Sequence, residues 1–96
     1  MTLSNRRCRI LCAVFAQPTR SDVRWPDFVS LLLALGGSEV KSGKTAGSRR
    51  RLELRGIRAV LHKPHPGSQM NKGSLESARQ FLQNAGATPV KEGCRC

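Results

Sequence analysis

The chain has 96 residues, enough for one small domain with a single core, and it carries 17 Lys and Arg against 6 Asp and Glu. Its formal net charge of +11 predicts a polyanionic partner, either a nucleic acid or an anionic surface. No apolar run approaches the ~20 residues of a membrane span, so we expect no membrane partner.

The N-terminal segment predicts an amphipathic helix over Asn5–Ala16, because its apolar residues recur on one side of a helix. Basic residues followed by a short apolar stretch also imitate a signal peptide. The apolar stretch is minimal and its spacing fits an amphipathic helix better, so we expect a cytoplasmic protein.

A second helix opens at Trp25-Pro26-Asp27, with proline at an early position and an acid in the first turn. Its broad apolar face ends at Gly36-Gly37, a helix stop. We expect a short strand over Glu39–Lys41 and then a Gly-rich loop over Ser42–Gly47.

Ser42-Gly43-Lys44-Thr45 in that loop imitates the end of a phosphate-binding loop. The full motif requires a glycine where this chain has Ser38, and a helix where this chain predicts a strand. We therefore exclude nucleotide hydrolysis and retain only Lys44 as a phosphate contact.

The segment that follows predicts a basic β-hairpin, with strands Arg49–Leu54 and Ile57–His62 on either side of the turn Arg55-Gly56. Counting outward from this turn fixes the register, in which one face is mostly apolar and the other basic. The predicted pairs are Leu54 with Ile57, Glu53 with Arg58, Leu52 with Ala59, Arg51 with Val60, Arg50 with Leu61 and Arg49 with His62.

The basic face of the hairpin is the best candidate for contact with RNA. Alternation with Leu52 and Leu54 places Arg49 and Arg51 on one side, together with Arg58, and Lys63 follows the second strand. A charge run is often only a solvated surface, but this one is confined to one face of a strand.

Two histidines, His62 and His65, end the hairpin and are candidate catalytic residues. Metal-free cleavage of RNA needs a base for the 2′-hydroxyl proton, an acid for the leaving oxygen and cations for the phosphate. We assign the base to His62, the acid to His65 and a phosphate contact to Arg49. We expect no metal or cofactor, since no third ligand lies near the histidines.

A last helix is predicted over Lys72–Ala85, with Gly86 as its stop and Thr88–Cys96 as a tail. The element order predicts an α+β fold of the pattern α-α-β-β-β-α, a three-stranded antiparallel sheet packed on helices. The second and last helices would cover the apolar side of the hairpin and leave its basic side open.

Four cysteines stand at the ends of the chain: Cys8, Cys12, Cys94 and Cys96. One interpretation is a four-thiolate zinc site, which would make a small zinc-stabilised DNA-binding protein, although the spacing is irregular. The other is that they are incidental, with Cys12 on a buried helix face and the last two in a loose tail.

Short motifs from the second helix to the last occur in a characteristic order and spacing. They are Asp27–Leu32 leading to Leu35-Gly36-Gly37, then Val40, Gly47-Ser48, the basic hairpin, His65-Pro66-Gly67, Lys72-Gly73-Ser74-Leu75 and Ala85-Gly86. In this order they resemble the HicA toxins of bacterial HicA–HicB toxin–antitoxin pairs, over roughly Trp25–Pro89.

The resemblance implies a fold like that of double-stranded RNA-binding domains and an mRNA-cleaving toxin held silent by a HicB-type antitoxin. It predicts a HicA-like domain over residues 22–89, an N-terminal helical extension over 1–21 and a C-terminal tail over 90–96. One position departs from the family, whose usual catalytic histidine follows the Gly-Ser pair, where this chain has Arg49. Either His62 takes over as base, or the chain is a non-catalytic RNA-binding domain.

Overall fold

The computed structural model describes residues 3–40 and 49–96 of the chain. Within these residues three helices and one three-stranded sheet confirm the predicted α+β class and element order. The elements are α1 (Asn5–Val14), α2 (Trp25–Ala34), β1 (Ser38–Val40), β2 (Arg49–Leu54), β3 (Ile57–His62) and α3 (Lys72–Asn84).

The helices begin at capping side chains that satisfy their first free N–H groups. Ser4 Oγ accepts from Arg7 N at 3.2 Å before α1, and Asn71 Oδ1 accepts from Ser74 N at 2.8 Å before α3. At the other end of α1, Arg79 of α3 donates to Val14 O at 3.0 Å. This contact satisfies a terminal carbonyl and ties α1 to α3.

The strands pair antiparallel in the order β1-β2-β3, and the hairpin register is the predicted one at all six pairs. Arg55 (φ +51°) and Gly56 (φ +82°) both adopt positive φ, as a two-residue hairpin turn of type I′ requires. Arg55 is stabilised there because its guanidinium donates to Gly86 O at 3.3 Å and to Glu92 Oε2 at 3.2 Å.

One face of the sheet packs on the helices and the other is open. Leu52, Leu54 and Leu61 are buried, α3 packs against β3, and α2 packs against β1. Helix α1 packs against α2 and α3, with Leu11 and Val14 fully buried. The predicted cover by the second and last helices is therefore confirmed.

The predicted elements shift by one or two residues at their ends. Helix α1 stops at Val14 rather than Ala16, α3 stops at Asn84, and β1 begins at Ser38. The expected loop over 42–47, with Lys44, lies outside the described residues. No helix in the described ranges is long and apolar enough to cross a membrane.

The cysteines are neither incidental nor arranged as a four-thiolate zinc site. Cys8 is bonded to Cys94 and Cys12 to Cys96, so both ends of the chain meet across α1. The expectation of a loose tail is wrong, since Cys94 is buried and each of the last two cysteines is covalently held. Sulfurs bonded in pairs offer no thiolate to zinc.

Candidate nucleic-acid interface

The exposed side of the sheet, which we call the outer sheet face, is formed by alternate residues of the three strands. Because successive side chains of a strand point to opposite sides, burying Leu52 and Leu54 turns their neighbours outward. Its members are Ser38 and Val40 from β1, Arg49, Arg51 and Glu53 from β2, and Arg58, Val60 and His62 from β3.

Arg49 and His62 form the last pair of the hairpin, at the end away from the turn. Directly opposite residues of an antiparallel pair have β-carbons ~4.5–5.5 Å apart, so the guanidinium and imidazole reach the same bound group. Both residues are exposed to solvent. The pair therefore places a fixed cation beside a group able to exchange protons near neutral pH.

The arginines of the hairpin differ in how they are paired. Arg50 faces the helices and lies 4.0 Å from Glu39, whereas Arg58, with 85% of its side chain exposed, lies 3.3 Å from Glu53. Within residues 3–40 and 49–96, no ion pair involves Arg49 or Arg51. Among the arginines of the hairpin, these two are best able to donate hydrogen bonds to phosphate oxygens.

A shallow cleft of about 580 Å³ crosses the middle of the outer sheet face. Val40, Arg51 and Val60 line it in one row across the three strands, and both valines are nearly half exposed. Apolar side chains beside a cation suit the sugar and base of a nucleotide next to its phosphate.

His65 lies in a second cleft, of about 560 Å³, that His62 does not line. This cleft is rigid because the loop after β3 pairs with the chain before α2, where Trp25 N donates to Ser68 O at 2.7 Å. Its charged wall is Arg24, which forms an isolated bridge with Gln69. His62 belongs to the outer sheet face and His65 to this cleft, three residues further along the chain.

Sequence reasoning missed Arg24, and no local pattern marks it. It faces His65 only because of a pairing between residues more than forty positions apart. Lys63 is exposed after β3, as expected. Lys44 falls in the stretch 41–48, outside the described residues.

Comparison with known proteins identifies the family. A family model described as "HicA toxin of bacterial toxin-antitoxin" matches residues 25–91, more than two thirds of the chain. No curated protein and no solved structure gives a significant match. The family's fold resembles that of double-stranded RNA-binding domains, and the succession α2-β1-β2-β3-α3 reproduces it. The chain belongs to the HicA family of toxins from bacterial toxin–antitoxin systems.

Proposed function

We propose that this toxin is a metal-independent endoribonuclease that cleaves mRNA in the cytoplasm and thereby blocks translation. Two facts support this proposal: the family is generally one of endoribonucleases, and the outer sheet face carries unpaired arginines beside a histidine. The observation that carries it is the cross-strand pair of Arg49 and His62.

In the proposed reaction, His62 takes the proton of a 2′-hydroxyl while that oxygen attacks the adjacent phosphorus. The bond from phosphorus to the 5′-oxygen breaks, and the leaving oxygen receives a proton from an acid, which leaves a 2′,3′-cyclic phosphate. Arg49 and Arg51 neutralise the charge that develops on the phosphate. Because the base and the cation come from opposite strands, the hairpin register itself holds their geometry.

His65 is the proposed acid, and its position sets a condition on the RNA. Since His65 lies in the cleft with Arg24, it can act on the same phosphate as His62 only if that phosphate lies at the end of β3, within hydrogen-bond reach of both histidines. Lys63, which lies between the two histidines in sequence and is exposed, would contact the RNA backbone beside that phosphate. Arg58 and Lys44 are assigned to further phosphate contacts.

The toxin's partner is an antitoxin, and we infer that it is a HicB-type protein that covers the outer sheet face. The half-exposed Val40 and Val60 on either side of Arg51 give this face an apolar centre within a basic surround. Such a surface fits a partner with an apolar centre and an acidic rim. Covering it would also exclude RNA from His62.

A second candidate is a non-catalytic RNA-binding domain of the same fold. Arg49 in the place of the family's usual histidine favours it, because an arginine binds phosphate but does not exchange protons at neutral pH. The binder needs the arginines of the outer sheet face and tolerates the loss of both histidines.

Cleavage of a labelled RNA by the purified chain in the presence of a metal chelator separates the two candidates. Replacing His62→Ala removes a general base, which we expect to slow cleavage by about 100-fold or more. Gln83→Ala is the control, because Gln83 is exposed on α3 and does not belong to the outer sheet face. Equal cleavage rates in His62→Ala and wild type would exclude His62 as the base.

The same variants in a bacterial host test the toxin itself. We expect growth arrest and fragmented RNA on induction of wild type and Gln83→Ala, and normal growth with His62→Ala. The wild-type protein could instead be folded and bind RNA, yet leave growth normal and total RNA intact. That result would establish the non-catalytic binder.

A further inference from the structure

A groove lies at the chain ends, and none of its lining residues belongs to the outer sheet face. This terminal groove, of about 890 Å³, runs between α1, the segment that leads to α2, and the last residues of the chain. Its apolar floor includes Ile10 and Phe15. Its charged walls are Arg6, Arg9, Arg20, Arg95, Asp22 and Asp27.

Two of the four arginines are occupied by the two acids. Arg6 lies 3.0 Å from Asp27, and Arg20 lies 2.6 Å from Asp22. The hydrogen bond from Arg20 lowers the pKa of the Asp22 carboxyl, so this pair stays ionised in the groove. Within the described residues no hydrogen bond or ion pair engages Arg9 or Arg95.

Arg95 is in the groove because the chain on both sides of it is covalently fixed. Cys94 is bonded to Cys8 and Cys96 to Cys12, so the residue between them is held against the face of α1 that carries Arg9. Cys12 and Cys96 themselves line the groove. The cystines therefore bring together two cations that are 86 positions apart, the separation of Cys8 and Cys94.

The terminal groove is largely this chain's own addition to the family fold. The family model begins at residue 25 and ends at residue 91, so α1 and the last five residues lie outside it. Only Asp27 among the charged wall residues falls inside the match. The groove's function is therefore not inherited from the matched region.

We propose that the terminal groove is a second RNA-binding site, in which Arg9 and Arg95 bind backbone phosphates and which the Cys12–Cys96 disulfide assembles. This inference rests on the proposed RNA-binding function. Unpaired guanidinium groups bind phosphate in bidentate fashion, and Phe15 in the floor offers a ring on which a base stacks. The open groove admits a single strand along its length.

Redox state then controls the site. Disulfides are rare in the reducing cytosol and form under oxidation, so the groove is complete only in the oxidised protein. The outer sheet face contains no cysteine, and its geometry comes from strand pairing. Closing the Cys12–Cys96 bond while Cys8–Cys94 is present therefore strengthens RNA binding without altering the proposed cleavage site.

The test is the salt dependence of binding between the oxidised full chain and a labelled single-stranded RNA of about 16 nucleotides. The RNA carries 2′-O-methyl groups so that it cannot be cleaved. Each lost phosphate contact reduces the slope of log K against log salt by about 0.7, so Arg9→Gln/Arg95→Gln should lose about 1.4. A slope equal to that of wild type would overturn the proposal.

A charge-matched control distinguishes a specific contact in the groove from a general effect of net charge on RNA binding. Lys91→Gln removes one charge from the same C-terminal segment but does not line the groove. We expect Arg95→Gln to lower the slope by about 0.7 and Lys91→Gln to leave it unchanged. Equal losses in these two variants would contradict a specific site.

The disulfide's role is tested by a double-mutant cycle. Cys12→Ser/Cys96→Ser keeps the Cys8–Cys94 bond and releases only the residues after Cys94, so it should lower the slope as much as Arg95→Gln does. Adding Arg95→Gln in that background should then change nothing further. A full additional loss would mean that Arg95 binds RNA without the disulfide.

Failure of this inference and failure of the proposed function give different results. If Arg49→Gln/Arg51→Gln weakens binding and the groove variant does not, the second site is wrong and the outer sheet face still binds RNA. If the reverse holds, the terminal groove is the RNA site and the outer sheet face is not. A further outcome is that polyglutamate binds in a way that requires Arg9 and Arg95 while RNA binding does not require them. That result would make the groove a peptide site and overturn the proposal.

Discussion

The outer sheet face and the terminal groove present similar chemistry by different physical means. On the sheet, Arg49 and Arg51 are aligned by the pairing of β2 with β3, which is a ladder of main-chain hydrogen bonds. In the groove, Arg95 is brought to α1 by covalent bonds between cysteines. We therefore expect these two basic surfaces to lose RNA binding under different conditions. The outer sheet face should lose it when strand pairing is disturbed, and the terminal groove when the disulfides are removed.

The two regions also differ in whether they belong to the part of the chain that matches the family. The outer sheet face lies within the residues that match the family, whereas α1 and the last five residues lie outside. The disulfides join residues outside the three strands, and the strands pair without any cysteine. The predictions below perturb one region or the other.

Removing both disulfides should have the largest effect on stability. In the chain-entropy model, closing the loop between Cys8 and Cys94 contributes about 4.6 kcal/mol to the free energy of unfolding, because the ring contains nearly the whole chain. A domain of this size is stable by only about 5–15 kcal/mol. We therefore expect the chain with all four cysteines changed to serine to lie near its unfolding midpoint, measured by urea denaturation.

Removing one disulfide alone should cost much less. With Cys8–Cys94 in place, the second bond closes a ring of about eight residues, worth about 2.5 kcal/mol. The contact from Arg79 to Val14 O continues to hold α1. Equal losses from Cys12→Ser/Cys96→Ser and from the fourfold variant would contradict the entropic account.

A substitution at Gly37 should disturb the sheet without touching the terminal groove. A β-carbon there would lie 2.7 Å from Glu53 O and 2.5 Å from Leu32 Cδ1, so strand β2 or helix α2 must move. We expect Gly37→Ala to lower the free energy of unfolding by about 1–3 kcal/mol. Gly67→Ala is the matched control, because nothing lies within 4 Å of its β-carbon.

Gly37→Ala also tests whether the two regions are independent. Because Glu53 pairs with Arg58 and lies on β2, its displacement should weaken the proposed binding at the outer sheet face. Pairing of the four cysteines, followed by mass spectrometry, should remain that of wild type. Mispaired disulfides in Gly37→Ala would show that the regions are not independent.

The hairpin was predictable because its information is local. The turn Arg55-Gly56 and the alternation of Leu52 and Leu54 with charged residues fix both register and face by counting. The covering helices followed from their apolar spacing in the same way. The domain boundaries at residues 22 and 90 stay predictions.

The terminal groove and the His65 cleft were not predictable, because they depend on long-range contacts. Cysteine spacing alone leaves the pairing open, and nothing near Arg24 indicates that it meets the loop containing His65. The zinc and incidental interpretations failed because both treated each cysteine pair as local. The cystines join Cys8 and Cys12 to the opposite end of the chain.

Arg51 and Arg58 should contribute unequally to RNA binding at the outer sheet face. Arg58 must give up its contact with Glu53 to bind phosphate, whereas Arg51 has no ion pair in the described ranges. Arg51→Gln should lower the salt slope by about 0.7 and Arg58→Gln by less. Measuring both variants in the Cys12→Ser/Cys96→Ser background removes the groove's contribution while Cys8–Cys94 still holds the chain ends, and equal slopes would show that the Glu53 contact has no effect.

The smallest effect concerns Asp22, which forms an ion pair with Arg20 in the terminal groove. Its pKa is lowered by the hydrogen bond from Arg20, so the stabilisation it provides is present above the ordinary carboxyl pKa and is lost as the pH falls through the lowered value. The melting temperatures of wild type and Asp22→Asn should therefore differ slightly at neutral pH and converge in acid. At neutral pH the same substitution frees Arg20, and we expect the salt slope for RNA to rise only in the chain that keeps the Cys12–Cys96 bond. A rise that persists in the Cys12→Ser/Cys96→Ser background would place Arg20 in a binding site that does not depend on that disulfide, and the separation of the two regions would then rest on the sheet alone.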